Sequence, residues 1–264
     1  MIYLTGDCHG DFGRFSRRRR MQLPFELTQK DIVIICGDMG LLWADDREFA
    51  YYKKWLSALP FTILWVQGNH ENYDMIAAYP VSIWHGGKVR HIVEDKIILL
   101  ERGQIFELEG KRFFTFGGAS THDIQGGILD RMSPTYAKDR KRANKRGLPY
   151  RVSGVSWWAQ ELPSETEMQE GRKNLTQAGN RVDYVISHCL SGRMQDVLKA
   201  VLAAGSDEKT AHESNAYGKD ILTAYFDELE ATLQYQHWYC GHYHVNLNVD
   251  ERHTVLYKEI AVLV

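Results

Sequence analysis

Short apolar runs and amphipathic stretches alternate along the first part of this chain. Residues 31–36 and 61–66 are rich in β-branched and aromatic side chains, a pattern typical of short strands that are buried on both faces. Between them, residues 46–58 carry apolar side chains at helical spacing, which predicts an amphipathic helix. A strand, a helix and a second strand in this order indicate a right-handed crossover, so the pattern predicts an α/β fold.

The pattern changes over residues 88–117, where β-rich runs are separated by short polar or glycine-containing breaks that predict antiparallel hairpins. Helices are predicted at 164–178, where Ser164 and Glu167 can form a capping box, and at 219–233. Further strands are predicted at 183–187, 236–240, 245–249 and 254–264. Together these elements predict a two-layered sheet sandwich that is flanked by helices.

The composition is that of an ordinary globular chain. With 264 residues, of which 44% are hydrophobic and 25% charged, the chain can bury a substantial core. No linker or repeat divides it, so we predict a single domain over residues 1–264. The formal net charge of −2 gives no global attraction to nucleic acid or acidic membranes. Because the sequence starts in a strand-like Ile2-Tyr3-Leu4 and has no apolar run near the roughly 20 residues of a membrane span, we predict a cytoplasmic protein.

Five short segments carry side chains that bind metal ions, and four of the five follow an apolar run that is predicted to be a buried strand. They are Gly6-Asp7-Cys8-His9-Gly10, Gly37-Asp38, Gly68-Asn69-His70-Glu71, Ser187-His188 and Gly241-His242-Tyr243-His244. Carboxylate, amide and imidazole groups are the oxygen and nitrogen ligands that a pair of divalent transition ions needs. Since strand ends meet at one edge of an α/β sheet, we expect the five segments to form one metal site.

Taken in order, these segments resemble the motifs of the calcineurin-like metallophosphoesterase superfamily: Asp-x-His, Gly-Asp, Gly-Asn-His-Glu, a single His and Gly-His-x-His. The resemblance extends from Asp7 to His244, which is nearly the whole chain. It implies a four-layer sandwich of two mixed β-sheets flanked by helices, and a phosphoric ester hydrolase that uses two divalent metal ions. Manganese, iron, zinc or nickel fits such nitrogen-rich sites, whereas magnesium alone fits poorly.

The resemblance also implies how the ligands divide between the two ions. One ion is bound by Asp7, His9, Asp38 and His244, and the other by Asp38, Asn69, His188 and His242. In this assignment Asp38 bridges the ions, which bind the phosphate oxygens and activate a hydroxide for attack. His70 binds no metal in this scheme and is the predicted general acid, with packing behind the ligands as the alternative.

The substrate prediction depends on the second motif. The first and third segments look most like those of the phosphoprotein phosphatases, but Gly37-Asp38-Met39-Gly40-Leu41-Leu42 replaces the Gly-Asp-x-Val-Asp-Arg-Gly of that branch. The Asp and Arg that support the acid histidine and bind phosphate are absent from it. We therefore predict hydrolysis of phosphomonoesters or phosphodiesters, with a nucleotide or other small molecule as the substrate. A protein serine/threonine phosphatase, a nuclease and a non-catalytic metal-binding scaffold are the alternatives.

Substrate contacts are predicted at His122, which follows a strand and a glycine-containing loop, and at Arg14, which could replace the missing arginine. Two basic runs, at residues 17–20 and 138–146, could contact phosphate or nucleic acid. Because the chain is not basic overall and neither run interleaves aromatic residues, a solvated helix face is the favoured interpretation of both.

All four cysteines lie within two residues of a predicted ligand: Cys8, Cys36, Cys189 and Cys240. A zinc cluster or a redox switch would explain this placement, but no Cys-x-x-Cys spacing occurs and histidine and aspartate already fill the metal pattern. We therefore predict that the cysteines are small buried residues that pack near strand ends.

Overall fold

The computed structural model describes residues 1–16, 27–205 and 217–263. The strands are β1 (Ile2–Thr5), β2 (Ile32–Ile35), β3 (Thr62–Trp65), β4 (Val81–Trp84), β5 (Gly87–Val93), β6 (Ile97–Leu100), β7 (Gln104–Leu108), β8 (Lys111–Phe116), β9 (Ile128–Leu129), β10 (Arg151–Val152), β11 (Tyr184–Ser187), β12 (His237–Cys240), β13 (Leu247–Asn248), β14 (His253–Val255) and β15 (Ile260–Val262). The α-helices are α1 (Arg47–Ser57), α2 (Tyr73–Ala77), α3 (Tyr136–Arg146), α4 (Glu165–Gln177), α5 (Gly192–Gly205) and α6 (Ile221–Thr232). None of these helices combines the length and the apolarity that crossing a membrane requires.

Most of the strands form two mixed sheets. The first sheet has the order β15-β1-β2-β3-β6-β5-β4, in which β1, β2, β3 and β6 are parallel and the outer strands pair antiparallel. The second has the order β13-β14-β12-β11-β8-β7, in which β14, β12, β11 and β8 are parallel. Strands β9 and β10 form a separate short parallel pair.

The apolar core lies in three layers because the central strands bury both faces. Ile2 and Leu4 of β1 belong to the cluster between the two sheets, while Tyr3 of the same strand joins an outer cluster that includes Leu56 of α1. A third cluster covers the outer face of the second sheet, where Phe114 of β8 lies with residues of α4, α5 and α6. Successive side chains of a strand point to opposite faces, so each apolar run serves two layers. The predicted four-layer sandwich of two mixed sheets flanked by helices is confirmed.

The predicted elements of the first half agree closely with the structure, including the antiparallel hairpins β5–β6 and β7–β8. The capping box of α4 is also confirmed, since the Ser164 and Glu167 side chains each accept the other's main-chain N–H. The carboxyl-terminal strands differ from the prediction. The strand predicted at 245–249 is reduced to β13, and the run at 254–264 divides into β14 and β15 because the chain crosses there from the second sheet to the first; residue 264 lies outside the described residues. The pattern does not predict the strands β4, β9 and β10 or the helices α2, α3 and α5.

The metal-binding segments lie at one edge of the sandwich. They follow the carboxyl ends of β1, β2 and β3 in the first sheet and of β11 and β12 in the second, and these strands run parallel within each sheet. Hydrogen bonds join the two sheets here: the Gly6 N–H, after β1, donates at 3.1 Å to the carbonyl of Tyr257 in the connection from the second sheet, and the His242 N–H, after β12, donates to Asp7 Oδ1 at 2.8 Å. The edge is therefore a fixed platform for the loops that carry the predicted ligands.

Candidate metal centre

One group of donors forms around the Asp7 carboxylate. The Asp7 Oδ2 atom lies 3.5 Å from His9 Nε2 and 3.2 Å from His244 Nε2, and the two imidazole nitrogens are 2.9 Å apart. These three atoms form a triangle with edges near the roughly 3.4 Å that separates tetrahedral ligands placed about 2.1 Å from a metal ion. Asp7 is buried, whereas His9 and His244 are exposed. The group therefore opens to solvent on its histidine side.

A second group forms around His188, which is fully buried. His188 Nε2 lies 3.4 Å from Asp38 Oδ2 and 3.2 Å from Asn69 Oδ1. The other ring nitrogen, Nδ1, lies 2.7 Å from the Cys36 carbonyl, which can only accept a hydrogen bond, so Nδ1 carries a proton whether the ring is neutral or charged, and Nε2 faces the oxygens. The ring of His242 packs against that of His188, with centroids 5.0 Å apart. The structure thus brings together all the residues that the sequence predicts as ligands.

The main chain fixes one oxygen of each central carboxylate. The His242 N–H donates to Asp7 Oδ1 at 2.8 Å, and the His70 N–H donates to Asp38 Oδ1 at 2.7 Å. Both carboxylates therefore turn their Oδ2 atoms toward the histidines. Two glycines make this approach sterically possible, since a Cβ on Gly68 would lie 1.9 Å from Asp38 Oδ1 and a Cβ on Gly241 would lie 2.2 Å from Asp7 Oδ1.

Four predicted ligands have left-handed backbone conformations that side chains other than glycine rarely adopt. The φ values are 48° at His9, 48° at Asp38, 72° at His242 and 53° at His244. Such conformations persist where the surrounding structure holds them, and they cluster at functional sites. His242 and His244 lie in a bend after β12, whose turns bring both rings to the site.

Buried charges of both signs meet at this centre. Burial alone would raise the pKa of Asp7 and Asp38, but the nearby His188 keeps the pKa of both carboxyl groups well below its usual range. Burial would in turn lower the pKa of His188, whereas the charges of Asp38 and Asp7 raise it to about 9. Both carboxylates are thus ionised at neutral pH, which suits them to bind a cation.

The donor set fits divalent metal ions. Asp7 Oδ2 is buried and has no hydrogen-bond partner among the described residues, although two imidazole nitrogens face it. A buried carboxylate oxygen without a partner costs free energy, and a cation at this point would remove that cost. Imidazole with carboxylate and amide oxygen is a ligand set for first-row transition ions such as manganese, iron, zinc and nickel.

An arginine–aspartate pair lies beside His70, and the sequence interpretation did not find it. The Arg151 guanidinium forms a two-pronged ion pair with the Asp123 carboxylate, with Nε 2.8 Å from Asp123 Oδ1. Its Nη2 atom lies 3.5 Å from His70 Nε2. Burial lowers the pKa of His70 to about 4, an effect that Asp38 opposes and Arg151 reinforces. The pair comes from residues 123 and 151, far from the second motif, and no spacing in the sequence signals it.

Two buried glutamates support the ligands from behind. Thr121 accepts a hydrogen bond from Asn69 Nδ2 at 3.5 Å and donates its hydroxyl to Glu161 at 2.6 Å, so the Asn69 carbonyl oxygen is left to face His188. Glu71 accepts the Met39 N–H at 3.0 Å, next to Asp38. Burial, and then the nearby Asp38, raises the pKa of Glu71 to about 8. These contacts fix side-chain orientation on the inner side of the centre.

The two predicted substrate contacts have different outcomes. His122 lies beside the centre, with its ring centroid 5.7 Å from that of His242, so its position is compatible with the prediction. The Arg14 guanidinium does not point into the cleft but donates to the carbonyls of Gly6, Asp7 and Tyr257 at distances of 2.6 to 3.1 Å. Arg14 is thus occupied in holding the main chain beneath Asp7, and Arg151 is the arginine that reaches the site.

The second basic run forms most of α3, where all of its cationic side chains are exposed and Arg142 forms an ion pair with Asp139. This placement agrees with the solvated helix face that the sequence favours. The first run, at residues 17–20, lies outside the described residues. The four cysteines are buried and free, which confirms that they pack as small residues.

A cleft of about 290 Å³ opens next to the centre. Its inner end is formed by His9, His70 and Arg151. Its outer walls come from the connection between β2 and α1 and from the first turns of α1. A molecule bound at the Asp7 and Asp38 carboxylates would therefore have room to extend past His70.

One comparison with known proteins agrees with these motifs. The sequence profile of the family described as calcineurin-like phosphoesterase matches residues 1–246. Among the curated proteins, none matches this chain. Among solved structures, that of phosphopantetheinyl hydrolase from Mycobacterium tuberculosis is similar over 96% of this chain and 87% of its own, with 14% sequence identity and a TM-score of 0.46.

Proposed function

Because this chain belongs to the calcineurin-like phosphoesterase family, whose members are metal-dependent phosphoester hydrolases, we propose that it hydrolyses a small phosphate ester with two divalent ions bound at the candidate centre. The family match confirms the assignment made from the five motifs. The observation that carries the proposal is the arrangement of Asp7 and Asp38, whose Oδ2 atoms each face two imidazoles while main-chain N–H groups hold their Oδ1 atoms.

The two ions are assigned to the ligand sets that the motifs imply. Asp7, His9, Asp38 and His244 would hold one ion, and Asp38, Asn69, His188 and His242 the other. The position of Asp38 between the two sets supports a bridging role: its Oδ2 atom lies 3.4 Å from His188 Nε2 of the second set and 3.8 Å from the His9 ring of the first, on the Nδ1 side of that ring. When bound, the ions would neutralise the phosphate oxygens and acidify the attacking water. Manganese, iron, zinc or nickel suits these ligands.

The chain's own residues would bind the ester and supply the proton. Arg151 can donate to a phosphate oxygen, because its Nη2 atom lies near His70 at the inner end of the cleft. His70 would protonate the leaving oxygen. It is neutral before the ester binds, since its pKa is about 4, and the negative charge of a bound phosphate would favour its protonated form. Asp123 keeps Arg151 in place through their ion pair.

The cleft supports a small substrate. Its volume of about 290 Å³ is close to the lower end of the range for small-molecule sites. Asp46 and Glu48 line the same cleft, and their carboxylates would repel the further phosphates of a nucleic acid. These features favour a small ester over the nuclease, and the intact ligand set favours an enzyme over a non-catalytic scaffold.

The proposal is tested with the Asp38→Asn variant. Asparagine keeps an oxygen that can accept the His70 N–H but removes the charge that would bridge the ions, so the variant should fold and lose metal-dependent activity. Manganese-dependent hydrolysis of bis-p-nitrophenyl phosphate is the assay, and circular dichroism checks the fold. We expect a loss of at least about 100-fold in kcat/KM, which corresponds to roughly 2.7 kcal/mol of transition-state stabilisation.

The matched control is Asp45→Asn, which removes a carboxylate from an exposed position in the loop before α1. This control should retain wild-type turnover. If the Asp38→Asn variant hydrolysed the diester as fast as the control, the proposed centre would not be the site of the reaction.

A further inference from the structure

The outer walls of the cleft are aromatic, and neither metal binding nor the folding of the core uses all of that surface. Trp43, Phe49 and Tyr52 line it. Trp43 remains 37% exposed, which is high for the largest apolar side chain, although its neighbours hold it in place. Its carbonyl accepts the Asn72 side-chain amide at 2.9 Å, and its ring packs edge-on against Trp158 with centroids 6.0 Å apart.

The aromatic walls are part of the first turns of α1 and of the loop before it. Tyr52 is fixed by an edge-on contact with Phe12, with ring centroids 5.1 Å apart. Phe49 is half-buried and lies one helical turn before Lys53, whose ammonium is 5.4 Å from its ring centroid. Aromatic rings that are fixed at the wall of a solvent-open cleft offer surfaces on which a planar ring can stack.

Two carboxylates accompany these rings in the cleft. Asp46 caps α1, with Oδ1 accepting the Glu48 and Phe49 N–H groups at 2.9 and 3.0 Å, so Oδ2 is available to a ligand. Glu48 is exposed in the first turn of the same helix. Carboxylates accept hydrogen bonds from N–H and O–H donors and repel anions. This end of the cleft therefore selects a group that is rich in donors and carries no phosphate of its own.

His70 shows which part of the substrate would occupy the cleft. It lies at the inner end of the cleft, and a general acid must lie next to the leaving oxygen. With the phosphate at the metal ligands and the leaving oxygen at His70, the alcohol part of the ester extends into the aromatic walls. The walls therefore determine which alcohol is released.

On the basis of the proposed function, we propose that this cleft binds a nucleoside as the leaving group, so that the substrate is a nucleoside monophosphate. The base stacks on Trp43 and the neighbouring rings, and its amino groups or the ribose hydroxyls donate to Asp46 and Glu48. Water attacks phosphorus, the bond from phosphorus to the nucleoside oxygen breaks, and the departing oxygen takes a proton from His70. One proton of the water stays with the phosphate, and the other replaces the proton that His70 gave up. The products are the nucleoside and inorganic phosphate.

The test compares substrates that share the phosphate and the sugar but differ in the base. Purified wild-type protein with manganese should hydrolyse at least one of AMP, GMP, CMP and UMP at a kcat/KM at least tenfold above that for ribose 5-phosphate. Trp43→Ala should lower kcat/KM for that nucleotide at least tenfold and leave ribose 5-phosphate hydrolysis within about twofold. The control is Tyr51→Ala, which removes a 63%-exposed ring next to Tyr52 that does not line the cleft, and it should behave like the wild type.

The results separate this proposal from the proposed function. Equal kcat/KM for nucleotides and ribose 5-phosphate, or a faster reaction with phosphocholine, would overturn the nucleoside assignment while leaving the phosphoesterase intact. If no ester were hydrolysed, the proposed function would fail. The cleft could then still be tested by nucleoside binding, in which the nucleoside of each tested nucleotide is titrated against tryptophan fluorescence. Quenching in the wild type that is lost in Trp43→Ala supports the cleft, and absence of quenching by any of the four nucleosides contradicts it.

Discussion

The carboxylates of Asp7 and Asp38 are held in the same orientation by the same kind of hydrogen bond, and this orientation suits both of them to bind metal ions. Each carboxylate has one oxygen fixed by a main-chain N–H from another loop, His242 for Asp7 and His70 for Asp38. The second oxygen of each faces imidazoles. Fixing the ligands in advance lowers the entropy that metal binding would otherwise cost, so the loops prepare the site before any ion arrives.

A prediction at the scale of one residue concerns His70. If His70 protonates the leaving oxygen, His70→Ala should slow the hydrolysis of alkyl phosphate esters by about 10²- to 10⁴-fold, because an alkoxide leaves poorly without a proton. The hydrolysis rate of the p-nitrophenyl ester should fall much less, since p-nitrophenolate leaves without protonation. The measurement is kcat/KM for both esters in the wild type and the variant.

The outcome of that comparison separates catalysis from packing. A variant that slowed both esters by the same factor would indicate that His70 supports the ligands rather than the leaving group. Circular dichroism should show that the variant is folded.

At this scale the sequence predicts well which side chains come together at the candidate centre, and it predicts their supporting residues poorly. Asp, Asn and His residues next to glycine indicate a metal site by residue type alone. Arg151 and Asp123 belong to no recognisable motif. Only the fold shows that this ion pair lies beside His70. Arg14 shows the converse: its nearness to a ligand in the sequence predicts a phosphate contact, whereas in the structure its guanidinium donates to main-chain carbonyls.

At the scale of elements, the loops work because glycines let strands and carboxylates approach closely. Gly68→Ala should displace Asp38, since the added Cβ would lie 1.9 Å from its Oδ1 atom. We expect the variant to lose manganese-dependent hydrolysis by at least about tenfold. The control is Gly205→Ala at the end of α5, where a Cβ meets nothing within 4 Å among the described residues.

Hydrolysis rates and thermal unfolding of both variants check this prediction. Full activity in Gly68→Ala would mean that the position of Asp38 tolerates a shift that the proposed bridging role does not allow.

Element prediction from the sequence succeeded where burial imposes a pattern. The strands around the core are nearly continuous apolar runs and were predicted within one or two residues. Helix α3 buries only Ala143, so it has no apolar stripe from which a helical period could be recognised. The bend that carries His242 and His244 depends on left-handed backbone angles, which hydrophobic periodicity does not encode.

At the scale of the whole molecule, the site exists only because two sheets meet. His188 follows a strand of the second sheet and donates to Cys36 of the first, while Asp7 of the first sheet accepts the His242 N–H of the second. Metal binding is therefore coupled to the docking of the sheets. An ion that binds only this arrangement should also raise the midpoint of thermal unfolding.

Proton release on metal binding tests this coupling in solution. The charges of Asp38 and Asp7 raise the pKa of His188 to about 9 in the metal-free protein. Below pH 9 the ring is therefore protonated, and its Nε2 atom must lose a proton before it can bind an ion. We expect metal binding at pH 7.5 to release at least one proton per chain, and fewer as the pH rises through about 9. Titration calorimetry in buffers of different ionisation enthalpy measures the number, and a value that does not change between pH 7.5 and 9.5 would contradict the assignment of His188.

The central claim is that two ions share Asp38 at the junction of the sheets, and metal content tests it most directly. Protein that has been stripped, reconstituted with manganese and desalted should contain two manganese ions per chain by elemental mass spectrometry, and Asp38→Asn at most one. A fully active wild-type protein with a single ion per chain, or with none, would contradict the account.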